Sequence, residues 1–286
     1  MYSLLAIDGG GLFGIGVANW LCKLGDCKFD YYAGTSVGAI LAACYALGIK
    51  PEKVKEMFNS GLPKKIFSKP GFPQCLNPLR PAIYDNKEAR RLLQEVFGDA
   101  KVCEARSGLV IVAWSYEKRK VKIFTRKYNG SYLIKDVVLA SMSAPSYFPP
   151  VKLKDEEGNL ELLGDGVVCG NDPALAGISA MLGDLVKIED IKCLSICTAG
   201  RPGEKKIDIS TKAGWLSVLP DIILFGNSSY TSYCAKDILG SKYLRVSPEN
   251  LPSGSIDDFR LVPGIRKVWE KYDHSEALKF LNDTEG

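Results

Sequence analysis

A chain of 286 residues, 46% hydrophobic and 24% charged, can build one large α/β domain, or two small ones, around a sizeable core. A net charge of +4 excludes a nucleic-acid-binding composition and leaves a weak pull toward anionic membrane surfaces. Nine scattered cysteines without a C-x-x-C pair read as reduced thiols of a cytosolic protein, and a single histidine, His274, argues against zinc.

In chain order, Leu4 to Asp8 reads as a short buried strand, too short an apolar run for a secretory leader. Glycines follow, then a helix from about Leu12 to Leu24. Tyr31 to Gly34 is a second strand, and a helix runs from Ser36 to about Leu47 and stops at Gly48. This β-α-β-α opening predicts an α/β fold, with a parallel sheet covered by helices. The longest apolar stretch, Val37 to Ile49, is too short to span a bilayer. Pro51 opens a helix through about Asn59. From Gly61 to Tyr84, prolines mix with Lys64, Lys65, Lys69, Ile66, Phe67 and Phe72. That segment reads as a long surface loop: a membrane-touching lid, or a stiffened connection packed on the core.

A helix from Asn86 to Phe97 ends at Gly98. Leu109–Trp114 and Val121–Thr125 form a strand pair, and Asp136–Met142 a short helix. Leu160–Leu163 is a strand ending at Gly164-Asp165-Gly166, Pro173 begins a helix, and Cys193–Cys197 is a strand. The remainder reads as mostly helical apart from a strand near Tyr243–Val246. No repeat or linker interrupts the chain, so one domain over 1–286 is expected.

Three motifs carry chemistry. Gly34-Thr35-Ser36-Val37-Gly38 fits G-x-S-x-G, in which a serine at a sharp strand-to-helix turn needs small neighbours two residues away. The alternative is a glycine-flanked serine that caps a helix. Asp8-Gly9-Gly10-Gly11-Leu12-Phe13-Gly14 can converge backbone N–H groups on one point, as an oxyanion hole does. Gly9, Gly11 and Gly14 also satisfy G-x-G-x-x-G, but a dinucleotide site needs an acid after the second strand, and Asp30 precedes it. The base is Asp165 or His274. His274 looks like a first-turn residue of a final amphipathic helix, although the order Ser36, Asp165, His274 matches an α/β-hydrolase triad. Asp165, flanked by Gly164 and Gly166, allows close approach, and a desolvated pocket would raise its basicity. Read alone, it is an ordinary turn aspartate.

Together these motifs resemble the patatin-like phospholipases, which combine a glycine-rich oxyanion loop, a G-x-S-x-G elbow and an Asp-Gly motif in this order. Ala140-Ser141-Met142-Ser143-Ala144-Pro145-Ser146-Tyr147-Phe148-Pro149-Pro150, Asp172-Pro173 after Asn171, and Leu194 to Gly200 extend the resemblance over about residues 4 to 200. It implies a three-layer patatin-like fold, with a mostly parallel central sheet and helices on both faces. It implies a Ser36–Asp165 dyad and an oxyanion hole at Gly9, Gly10 and Gly11, with Asp8, Gly14, Gly34, Gly38 and Gly166 as supporting motif residues. It further implies hydrolysis of acyl esters of phospholipids or other glycerolipids, with no cofactor or metal and with peripheral membrane contact from the cytoplasm. A small-molecule or protein activator is compatible with it. This chain departs from the family pattern at Phe13, where a basic residue is usual, at Val167 and at Cys197. Phe13 is expected to lower affinity for an anionic group or to leave the oxyanion loop less ordered, and Val167 to change the turn after Asp165.

Overall fold

The computed structural model describes residues 1–68, 82–155, 157–200 and 209–283. The first half alternates β1 (Tyr2–Ile7), α1 (Gly14–Lys23), β2 (Tyr31–Thr35) and α2 (Val37–Ala46). Three helices follow, α3 (Pro51–Asn59), α4 (Leu62–Ile66) and α5 (Lys87–Phe97). The middle contains β3 (Gly108–Ser115), β4 (Lys120–Phe124), α6 (Arg126–Asn129), α7 (Ile134–Ser141), β5 (Val151–Lys154) and β6 (Leu160–Asp165). Then come α8 (Val167–Gly170), α9 (Ala174–Gly183), β7 (Ile191–Ile196), α10 (Lys212–Asp221), α11 (Asn227–Leu239), β8 (Tyr243–Val246), α12 (Val262–Lys271) and α13 (Ser275–Asn282).

Among the described residues, eight strands form one sheet in the order β5-β6-β3-β2-β1-β7-β8, with β4 on the outer side of β3. The strands from β3 through β8 in that order are parallel; β4, β5 and β6 run antiparallel to their neighbours. Successive side chains of a strand point to opposite faces, so each central strand feeds two cores. In β1, Leu5 and Ile7 pack with α1, α2 and the C-terminal α12. Leu4 and Ala6 pack on the other side with Ala174, Ile178, Ala235 and Leu239 of α9 and α11. The result is the three-layer α/β fold implied by the sequence. No helix among the described residues is long and apolar enough to cross a membrane.

Two expectations change. β5 was hidden in the sequence because Val151–Lys154 is a four-residue strand of alternating apolar and lysine positions; it becomes a strand by pairing antiparallel with β6. The segment expected as a loop from Gly61 begins instead with α4, which buries Leu62, Pro63 and Ile66. Phe67 then joins Tyr84, Phe148 and Phe259 in an aromatic cluster with centroid distances from Phe67 of 5.4, 5.5 and 6.1 Å. Phe67 is thus half-buried and packed against the core; Lys64 and Lys65 are exposed, and Lys69 and Phe72 lie outside the described residues.

Candidate functional site

Ser36 stands where β2 turns into α2. Its φ of 55° and ψ of −122° are strained for a residue with a side chain, at a cost of about 1–3 kcal/mol. Close packing holds it there. A Cβ on Gly38 would lie 2.1 Å from the Ile7 carbonyl oxygen, and one on Gly34 2.3 Å from the Gly38 carbonyl oxygen. Glycine is required at both flanks of the elbow for want of room. The Ser36 N–H donates to Ser141 Oγ at 2.9 Å, and Ser141 Oγ donates to the Val112 carbonyl at 2.6 Å.

Strand β3 determines what Ser36 meets. β4 occupies one edge of β3 along Ile111–Ser115. On the other edge β2 runs parallel as far as Thr35, opposite Val112, and β6 runs antiparallel as far as Asp165, opposite Ala113. The two strands therefore point their carboxyl ends at each other across consecutive β3 residues. Ser36 Oγ donates to Asp165 Oδ2 at 2.8 Å. Asp165 Oδ1 accepts the Val167 N–H at 2.9 Å, and Val167 begins α8. The turn after Asp165 is thus a helix start that tolerates a branched side chain.

Asp165 is 1% exposed, and burial pushes its carboxyl up to about 7, against the opposing hydrogen bonds from Val167 and Ser36. Such a carboxylate is far more basic than an exposed one yet still ionises at neutral pH, as proton abstraction requires. His274 stands at the N-terminus of α13, which packs beside the edge strand β8. The Ser36 hydroxyl donates to Asp165, not to His274.

The glycine loop leaves β1 between β2 and β7. Gly10 and Gly11, with φ of 149° and 55°, adopt glycine-favouring backbone. The Gly9 N–H donates to the Asn171 carbonyl at 3.3 Å, whereas among the described residues no backbone acceptor takes the N–H of Gly10 or Gly11. Phe13 is buried in the core and its N–H donates to the Gly10 carbonyl. Gly14 opens α1 against Val37, and Gly166 packs on the Val112 carbonyl. Asp30 accepts from the Ser3 N–H and hydroxyl at the amino end of the sheet, away from the loop, which removes the acid a dinucleotide site needs.

Sequence reasoning missed what anchors this loop. Asp8 is fully buried, and Arg245 on β8 donates to both its oxygens at 2.7 and 2.5 Å. The same guanidinium lies 3.1 Å from Asp172 and bonds Ser195 Oγ. Burial pushes the Asp8 carboxyl up to about 7, with the Arg245 guanidinium pulling the other way. Burial would lower Arg245; Asp172 and Asp8 outweigh it and hold the guanidinium firmly charged. The Thr198 hydroxyl donates to the Asp8 carbonyl at 2.7 Å. The available signal was a lone arginine inside the otherwise uncharged strand Tyr243–Val246. Asn171 ties in a further element: its side-chain amide donates to the Leu224 carbonyl and Ser228 Oγ, and its N–H to Asn227 Oδ1.

An apolar pocket opens from Ser36 and Gly11 and is walled by Phe58, Leu62, Phe67 and Phe148, with Ile256 of the C-terminal part. Its cavity is about 30 Å³. A larger cleft of about 420 Å³, between Tyr31 and Arg106, lies at the amino ends of β1 to β3, the end of the sheet opposite Ser36.

The patatin-like phospholipase family profile matches residues 5–178. A cGAMP-activated phospholipase of Pseudomonas aeruginosa is 25% identical over 275 residues, covering 90% of this chain and 81% of that protein. Patatin-like protein 2 of Arabidopsis thaliana is 26% identical over 262 residues, covering 75% of this chain and 64% of that protein. The crystal structure of VipD from Legionella pneumophila matches with a TM-score of 0.52 at 13% identity, over 98% of this chain and 66% of that one, which is a likeness of fold. With the profile spanning more than half of its length, this chain belongs to the patatin-like phospholipase family of lipid acyl hydrolases.

Proposed function

We propose that this chain hydrolyses fatty-acyl esters of phospholipids or other glycerolipids, with Ser36 as nucleophile and Asp165 as base. The observation that carries the reading is the 2.8 Å hydrogen bond from a strained elbow serine to a buried carboxylate. Ser36 Oγ attacks the ester carbonyl and its proton passes to Asp165 Oδ2. The N–H groups of Gly10 and Gly11 face the developing oxyanion; each such donor is worth about 10²–10³ in rate. The proton on Asp165 goes to the departing alcohol. Water, deprotonated by the same carboxylate, then releases the fatty acid and restores Ser36. The pocket beside Ser36 receives the acyl chain. The single sheet from β1 to β8 supports treating the whole chain as one catalytic domain.

A latent form is favoured by the cavity itself. At about 30 Å³ it is too small for an acyl chain, so such a chain enters only after its wall moves. Activation by a small molecule, as the name of the Pseudomonas relative states for that protein, fits such a closed site.

Intact mass after exposure to a fluorophosphonate tests the nucleophile. One adduct is expected on wild type and His274→Ala and none on Ser36→Ala, with hydrolysis of a soluble ester lowered about 10⁴-fold or more in Ser36→Ala. Full hydrolysis by Ser36→Ala would exclude the mechanism.

A further inference from the structure

The segment after β7 carries an apolar surface that the fold does not use. Of α10, only Val218 is buried. Trp215 is 50% exposed and Leu216 67% exposed, and Leu219, Ile222 and Ile223 are exposed beside them. Pro220 lies inside the helix, and a π-helical turn over Ile222–Gly226 joins α10 to α11. Proline removes a backbone donor and forces such a local widening. Along α11, Ser228, Thr231, Ala235 and Leu239 face inward at helical spacing, while Tyr230 and Tyr233 face outward, both more than 60% exposed. A helix that is apolar on its outer side as well as its inner one needs a cover.

The same segment borders the reaction centre. Its inner side holds Asn171 through Leu224, Asn227 and Ser228, and Asn227 also donates to the Val167 carbonyl, two residues after Asp165. Ser228 Oγ reaches Asp8 at the glycine loop. A surface seated on the outer side is therefore continuous with the site.

We infer that the outward face of α10, the π-turn and α11 docks on the surface of a lipid bilayer and sets the site against it. The inference rests on the proposed lipid hydrolysis, which requires the ester to be delivered from a lipid phase. Side-chain chemistry selects the bilayer as occupant. Trp and Tyr are the residues that settle at the lipid–water boundary, with Leu and Ile below it. From Lys212 to Leu239 the only charges are Lys212, Asp221, Lys236 and Asp237, which cancel, so the face meets a headgroup layer through its apolar and aromatic side chains and without net repulsion. No helix among the described residues can span a bilayer, so contact in the plane of the interface is the available mode.

The test compares wild type with Trp215→Ser/Leu216→Ser/Leu219→Ser by co-sedimentation with phosphatidylcholine–phosphatidylglycerol vesicles. Light scattering records oligomeric state, and fluorophosphonate labelling and a soluble short-chain ester report on Ser36. The triple variant is expected to lose roughly tenfold or more in vesicle partitioning, since each truncated side chain removes buried apolar area. Labelling of Ser36 and soluble-ester turnover should stay at wild-type levels. A blue shift of tryptophan emission on adding vesicles should be present in wild type and absent in Trp215→Phe. Equal partitioning of wild type and variant overturns the inference, as does a change from dimer to monomer with vesicle binding unaltered, which would assign the face to a second copy. If wild type binds vesicles through this face but labels at no serine, the docking stands and the proposed hydrolysis falls.

Discussion

At Asp165, one cause produces two opposite pH dependences. Burial raises its carboxyl to about 7, so the base form that the proposed mechanism needs to accept the Ser36 proton is lost as pH falls below that value. The kcat/KM for a soluble ester should therefore fall about tenfold per pH unit below about 7, as a pH–rate profile would record. Stability runs the other way. A carboxyl with a folded value above its unfolded value of about 4 favours folding at low pH, and that contribution disappears as pH rises through about 7. Asp165→Asn should thus be more stable than wild type at pH 8, by about 1–4 kcal/mol, and equal to it near pH 4. Urea denaturation at the two pH values checks this. A variant no more stable at pH 8 would mean that Asp165 carries no buried charge.

At the scale of elements, two devices govern the site. The first is the abutment of β2 and β6 on one edge of β3, which brings Ser36 and Asp165 together. The second is the wall made by α4 and Phe67. Phe67 lines the pocket beside Ser36 and is held by Tyr84, Phe148 and Phe259. Phe67→Ala should cost about 3 kcal/mol of stability and open room for an acyl chain. The ratio of long-chain to short-chain ester turnover is then expected to rise several-fold. An unchanged ratio would show that another part of the wall closes the pocket.

Across the whole molecule, the last strand secures the loop after the first. Arg245 on β8 reaches Asp8 after β1 and Asp172 before α9, and Ile256 accepts the Leu12 N–H through its carbonyl. Residues beyond 178, outside the span of the family profile, thus complete the end of the sheet that carries Ser36. Arg245→Met would leave two buried carboxylates without their cation and should cost about 3–5 kcal/mol at pH 8. Protonation of Asp8, which burial already raises to about 7, relieves part of the loss, so the gap to wild type should narrow at pH 5. A gap that is constant with pH would assign Arg245 a packing role alone.

The sequence by itself determined the local pieces: the early strands and helices, the elbow around Ser36, the glycine loop, and a turn carrying Asp165. Each rests on short-range chemistry, such as the lack of room at Gly34 against the Gly38 carbonyl, or the stop at Gly48. Tertiary structure alone decided which of these pieces meet. Ser36 and Asp165 are 129 residues apart, and their bond follows from where two strands end along β3, a register that no local propensity encodes. The same is true of Arg245, whose partners lie on distant elements, and of Phe67, whose side chain could face solvent or core until its aromatic neighbours were in place. The exposure of Trp215 and Leu216 belongs with these, because burial depends on what the rest of the chain leaves uncovered.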